Sequence, residues 1–243
     1  MMPLLGYLRL ELRRTARDGG FLIMSLAAPV MMYLLFSHMG SGHPTHAEQV
    51  RTLAGMAGFG ALGAVMTAAG GIAEDKKAGW LRQLRLTPLP AVTVVVGRGV
   101  SAMFLALPPV LAVGLLAAVV NGVSLSAAEW AGLLGVLWLG IVPVAMLALG
   151  CGYLIEGAKA HSVGLASYLL LAVAGGLLVD TRDLPRRLSR ISGATPVNRY
   201  KEIATDLALG HTPTMTALAV LLAWSAALTA FAVLGYRKGG ATA

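Results

Sequence analysis

Six long stretches of uncharged, apolar residues divide this chain of 243 residues. A helix needs roughly 20 such residues to cross the hydrocarbon core of a bilayer, and the stretches lack the alternating pattern of membrane β-strands. Hydrophobic residues make up 57% of the sequence and charged residues only 12%, which excludes an ordinary soluble domain. We therefore predict an all-α integral membrane protein with six transmembrane helices, at residues 21–39, 53–73, 92–120, 130–155, 161–179 and 215–236.

The positions of lysine and arginine predict how the chain is oriented, because positive residues are retained on the cytoplasmic side of a membrane. Residues 1–20 and the segment 74–90 carry four each, whereas the loops 37–52 and 121–129 carry one and none. Both termini and segment 74–90 are therefore expected in the cytoplasm.

Residues 180–214 do not follow this charge pattern. In a six-helix arrangement they lie on the outer side of the membrane, although they contain six arginine and lysine residues. Four acidic residues in the same segment offset part of this charge, and the remaining loops agree with one another. We therefore expect the segment on the outer side.

The outer segment has the pattern of two short helices. Leu184, Leu188 and Ile191 recur at helical spacing, and a second helix is predicted with Thr195 as its N-cap and Gly210 as its terminator. Both helices either lie at the outer membrane face or pack on the bundle without a role in transport.

The N-terminal residues 1–20 are predicted to form an amphipathic helix on the inner leaflet. Leu4, Leu8 and Leu12 lie on one arc of the helix, opposite a group of arginines. Such a helix contacts membrane lipid and anchors the first span.

Segment 74–90 is predicted to contain a second amphipathic helix. Trp80, Leu81 and Leu84 share one face, Arg82 and Arg85 project from another, and the proline after Thr87 ends the helix. This pattern fits a rigid helix that transmits force, and it also fits a basic loop that only fixes topology.

The order of residues in this segment resembles the cytoplasmic loop of the permease subunits of type-2 ABC transporters. The matching positions are Glu74, Asp75, Lys76, Lys77, Gly79, Leu81, Leu84, Thr87 and Pro88. Trp80 stands where the family has threonine. The outer segment is similar to the family's stretch between helices five and six at Leu184, Pro185, Leu188, Ile191, Pro196 and Gly210.

The resemblance spans essentially the whole chain and implies a single permease domain of a bacterial inner-membrane exporter. Such a permease pairs with a second copy or a sister permease, and two cytoplasmic ATPase subunits hold the ATP and Mg²⁺. The cargo it implies is an amphipathic small molecule, drug, lipid or polysaccharide. The loop matching segment 74–90 is the coupling helix, so the expected ATPase contacts are Glu74, Asp75, Lys76, Lys77, Gly79, Trp80, Leu81, Arg82, Leu84, Arg85, Thr87 and Pro88.

The sequence contains no motif for ATP binding or for zinc binding. It lacks the Gly-x4-Gly-Lys-Ser/Thr loop that cradles ATP phosphates, and it lacks a His-Glu-x-x-His zinc motif. We expect no catalytic, cofactor or metal site, and no nucleic-acid partner, because the basic residues cluster at membrane ends.

Two other functions remain open. An ion-coupled carrier normally keeps a carboxylate at mid-depth, and the predicted spans contain none. A non-transporting scaffold or resistance protein is the other alternative. Gly60 and Ala64 have small-xxx-small spacing, which predicts a tight contact with another helix or a dimer seam.

Overall fold

The computed structural model describes residues 19–38, 44–77, 90–155, 158–178 and 185–239, and within these ranges the chain is helical with no strand. The helices are α1 (Gly19–His38), α2 (His46–Lys77), α3 (Ala91–Val119), α4 (Ala127–Leu139), α5 (Val142–Leu154), α6 (Ala158–Ala174), α7 (Arg186–Gly193), α8 (Pro196–Ala208) and α9 (Met215–Lys238).

Four helical stretches of the described residues are long and apolar enough to cross a membrane. They are His46–Ile72 in α2, Ala91–Val119, Ala127–Leu154 across α4 and α5, and Met215–Lys238. Two shorter apolar stretches lie in α1 and α6. The described residues thus agree with the predicted all-α membrane fold, whereas the arrangement of six spans stays a prediction.

Two of the predicted spans differ from the helices in the structure. The stretch 130–155 is divided at Gly140 and Ile141, because Pro143 has no N–H to continue the helical hydrogen bonds. The stretch 161–179 stops being helical after Ala174. Gly176 there adopts the left-handed conformation, with φ at 69°, which ends helices in this way.

Helix α2 lies at the centre of the bundle. In its most apolar stretch 81% of the residues are buried, against 17% in α9. Its glycines let neighbouring elements approach, since a Cβ at Gly55 would lie 2.7 Å from the carbonyl oxygen of Leu177 and one at Gly60 would lie 2.7 Å from Cβ of Pro109. The glycines of the second stretch are therefore contact points for several helices within this chain.

The two ends of the bundle are distinct. At one end, here called the tyrosine end, the rings of Tyr153 and Tyr236 pack edge to face with centroids 5.3 Å apart, in a cluster that includes Ile72 and Val94. The last turns of α2, α5 and α9 and the first turn of α3 therefore lie together. At the opposite end, here called the capped end, Glu129 closes a capping box on α4. A Cβ at Gly210 would lie 3.9 Å from the Glu129 carboxylate, so α8 ends there too.

Candidate functional site

A groove with a volume of about 190 Å³ runs between α1, α2 and α6. Half of its lining residues are glycine or alanine, namely Ala28, Gly60, Gly63, Ala64, Gly70 and Gly164. Its polar lining consists of three hydroxyl groups, on Ser25, Thr67 and Tyr168, and the described lining contains no charged side chain. Such a surface accepts apolar or amphipathic molecules and disfavours a bare charge.

Gly60 and Ala64 have different surroundings in this groove. Gly60 meets Pro109 of α3 and Pro29 of α1, at 2.7 and 3.0 Å from the Cβ position. Ala64 is 1% exposed and lines the groove. The tight approach at Gly60 is thus made by helices of the same chain. A seam with a second copy at these positions stays a prediction.

The helices on either side of the groove expose large apolar side chains. On α6, Leu165, Leu170 and Val173 are more than half exposed, and on α1 Met31 and Leu35 are too. Exposed surface of this kind is stable only against lipid or an apolar partner. The two helices α1 and α6 that wall the groove therefore also carry exposed apolar surface.

Helix α8 has the predicted cap and terminator. The Thr195 hydroxyl accepts a hydrogen bond from the Asn198 N–H at 3.2 Å, Pro196 is the first helical residue, and Gly210 has φ at 72°. Its apolar face is largely buried, including Val197, Tyr200, Ile203 and Ala204. Helix α8 is consequently packed inside the bundle rather than laid on its surface.

The neighbouring helix α7 is much more exposed. Leu188 and Ile191 are 50% and 61% exposed, and Arg186, Arg187 and Arg190 are exposed beside them. The two helices α7 and α8 therefore have different roles in packing.

Three polar side chains tie α8 to the rest of the bundle. The Tyr200 hydroxyl donates to the carbonyl of Gly58 at 3.0 Å, the Asn198 amide donates to the carbonyl of Gly175 at 3.3 Å, and the Lys201 ammonium donates to the carbonyl of Gly176. All three side chains are buried.

Asn198 and Lys201 are not among the predicted site residues. In the sequence analysis Lys201 counts only as one of the six positive residues of segment 180–214. A signal was present in the sequence. Lys201 falls between Val197, Ala204 and Ala208 on one stripe of the helix, so it is a cation in the middle of an apolar face.

Much of the predicted coupling segment lies outside the described residues. Gly79, Trp80, Leu81, Arg82, Leu84, Arg85, Thr87 and Pro88 are among the undescribed positions, as are Leu184 and the N-terminal residues 1–18. Residues 74–77 form the last turn of α2. In the described part of the chain, no group of three histidine, cysteine, aspartate or glutamate residues is placed to hold a metal ion.

Comparison with known proteins identifies the family. The sequence model of the family described as ABC-2 type transporter matches residues 5–205. The chain is also 25% identical over 219 residues to a Bacillus subtilis (strain 168) protein named "Putative transport permease YvfS", a match that covers 88% of this chain and 89% of the relative. The family match covers most of the chain and includes the groove, the segment 74–90 and the first ten residues of α8. The chain belongs to the ABC-2 type transporter family.

Proposed function

We propose that this chain is the membrane-spanning subunit of an ATP-driven exporter, in which a separate ATPase subunit supplies the energy. The observation that carries the proposal is the family match over residues 5–205, which includes the predicted coupling segment. A permease role without an active site also agrees with the missing phosphate-binding motif.

The arrangement of the helix ends supports the proposed orientation. The end of α2 and the start of α3, which flank the coupling segment in sequence, lie at the tyrosine end, where α9 also ends. The end of α8 lies at the capped end, beside Glu129. In the proposed topology the tyrosine end is cytoplasmic, both termini are on that side, and residues 180–214 are outside. The six spans are α1, α2, α3, α4 with α5, α6 and α9, in the bacterial cytoplasmic membrane.

The groove between α1, α2 and α6 is the proposed path of the cargo. Its small residues and three hydroxyl groups suit an amphipathic or lipid-like molecule, since no charge of the described lining would bind an ion. In a dimer, the open side of the groove in one copy would face the other copy, which gives cargo a passage between two bundles.

Helix α2 is the element that would carry force to this path. Its last turn, residues 74–77, leads directly into the coupling segment, and its residues Gly63 and Gly70 line the groove. A helix transmits displacement along its axis because its backbone hydrogen bonds are internal. Movement of the coupling segment with the ATPase subunit would therefore change the shape of the groove.

The test changes the coupling segment and leaves the groove intact. We expect Trp80→Ala with Arg82→Glu and Arg85→Glu to abolish ATP-dependent movement of a fluorescent NBD-labelled lipid in inverted vesicles containing the ATPase subunit. Membrane insertion should be unchanged. The matched control reverses Arg237 and Lys238, two exposed cations at the same end of the bundle, and should transport normally. Full transport by the triple variant would contradict the coupling role.

A further inference from the structure

The outer end of α6 is held by two side chains of α8, here called the clamp, Asn198 and Lys201. They donate hydrogen bonds to the carbonyls of Gly175 and Gly176, the two residues that follow the last turn of α6. Asn198 is 8% exposed and Lys201 is 9% exposed. The clamp therefore lies inside the protein and joins two elements that are distant in sequence.

The chemistry of the clamp suits the end of a helix. Carbonyl groups at a helix C-terminus lack helical partners and carry partial negative charge. A cation and an amide donor satisfy them, whereas an apolar neighbour would leave them unpaired at a free-energy cost.

The backbone around the clamp is also closely packed. A Cβ at Gly175 would collide with Cγ1 of Val197, and one at Gly55 would lie 2.7 Å from the carbonyl oxygen of Leu177. The residues after α6 are thus enclosed by α8 on one side and by α2 on the other. A shift of the α6 end without α8 would break both polar contacts and disturb this packing.

We propose that Asn198 and Lys201 are positioning residues that make α6 and α8 move as one body. The transport part of this inference rests on the proposed function. Helix α6 forms one wall of the groove through Gly164 and Tyr168, and α8 reaches the capped end. The clamp therefore passes a change of groove shape to the outer end of the bundle, where cargo leaves.

The first test measures the clamp itself and does not depend on transport. Hydrogen–deuterium exchange is followed on the full-length chain in lipid nanodiscs for Lys201→Met, Asn198→Ala and wild type. The amides of Gly175, Gly176 and Leu177 are hydrogen-bonded to carbonyls of α6. In both variants they should exchange faster by at least about tenfold, with α2 and α3 unchanged.

A matched control uses another buried polar residue of the same helix. The Thr205 hydroxyl donates to the carbonyl of Lys201 within α8, at 2.8 Å, so Thr205→Val removes a buried hydrogen bond that lies within α8 itself. It should leave exchange at the α6 end as in wild type. Unchanged exchange in the two clamp variants, or an equal rise across α2 and α3, would overturn the clamp.

The second test separates a positioning role from loss of structure. In proteoliposomes with the ATPase subunit, Lys201→Met should keep ATP hydrolysis while moving about fivefold less NBD-labelled lipid per ATP. An unaltered ratio of lipid moved to ATP hydrolysed would refute the mechanical role. If the wild-type chain moves no lipid with ATP, the proposed function fails instead, and the exchange measurement still decides the clamp.

Discussion

Two glycines of α2 illustrate how single residues set the packing of this bundle. A Cβ at Gly60 would lie 2.7 Å from Pro109, whereas a Cβ at Gly71 would meet no described atom within 4 Å. Both glycines are inside the same helix, so alanine has the same effect on helix propensity at each. The difference between the two positions therefore reports the close approach alone.

We expect Gly60→Ala to destabilise the fold by about 1–3 kcal/mol, because the proline rings must shift to admit a methyl group. Gly71→Ala should be neutral or stabilise by up to about 1 kcal/mol, the helix-propensity gain. Thermal unfolding of the purified chain in detergent measures both. Equal melting temperatures for the two variants would show that α1 and α3 do not approach α2 closely at Gly60.

Two buried tyrosines make a similar pair. The Tyr200 hydroxyl bonds to the carbonyl of Gly58, whereas the Tyr33 hydroxyl is buried with no hydrogen-bond partner among the described residues. Tyr200→Phe should reduce stability by about 1 kcal/mol. Tyr33→Phe should have no effect or raise stability, because it removes a desolvated polar group. Thermal unfolding in detergent measures both variants. A larger loss of stability for Tyr33→Phe than for Tyr200→Phe would contradict the hydrogen bonding described for the two hydroxyl groups.

At the level of elements, α8 shows which features sequence can predict. Its cap, first proline, apolar face and terminator are local signals, and all are present in the structure. The depth of its packing is not a local property. Whether α8 lies on the membrane surface or inside the bundle depends on Gly58, Gly175 and Gly176, which are far away in the chain.

The caps of α8 and α9 give a test at this scale. Each threonine cap accepts a hydrogen bond from the N–H three residues later, Thr195 in α8 and Thr214 in α9. Thr195→Val should cost about 1 kcal/mol, and Thr214→Val should cost less because water reaches that exposed residue. Unfolding temperatures compare the two. A greater loss at Thr214 would mean that the first turn of α8 is less enclosed than described.

The ends of two helices could not be predicted from hydrophobicity, and the reason is physical. Hydrophobicity continues past Ala174 and through Gly140, so composition gives no boundary there. The helices stop because Gly176 takes a left-handed conformation and Pro143 lacks an N–H. These are backbone effects, which a count of apolar residues does not contain.

For the whole molecule, the structure shows which helix ends lie at the same end of the bundle and which lie at opposite ends, and the charge pattern alone does not. The arginine-rich outer segment was ambiguous by charge, but α8 ends beside Glu129, away from Tyr153 and Tyr236. Membrane class and family resemblance followed from sequence, because apolar length and the ordered motif at Glu74 to Pro88 are encoded locally. The groove could not be predicted, since it forms from three separate helices.

The proposed topology is testable with single cysteines. In a Cys151→Ser background, a membrane-impermeant maleimide applied to spheroplasts should label the His211→Cys variant. It should label the Lys238→Cys variant only after permeabilisation, because the two residues lie at opposite ends of the bundle and ends that carry arginine and lysine stay inside. Labelling of Lys238→Cys in sealed spheroplasts would reverse the orientation.

The most direct test of the central claim asks what the coupling segment touches in the cell. A photo-crosslinking amino acid is placed at Trp80, and the cross-linked partner is identified by mass spectrometry. The account predicts an ATPase subunit with a Gly-x4-Gly-Lys-Ser/Thr loop, and no such product from the same probe at Met215, at the other end of α9. If the Trp80 probe captures no ATPase subunit in cells where the chain still exports the NBD-labelled lipid, the coupling role is contradicted.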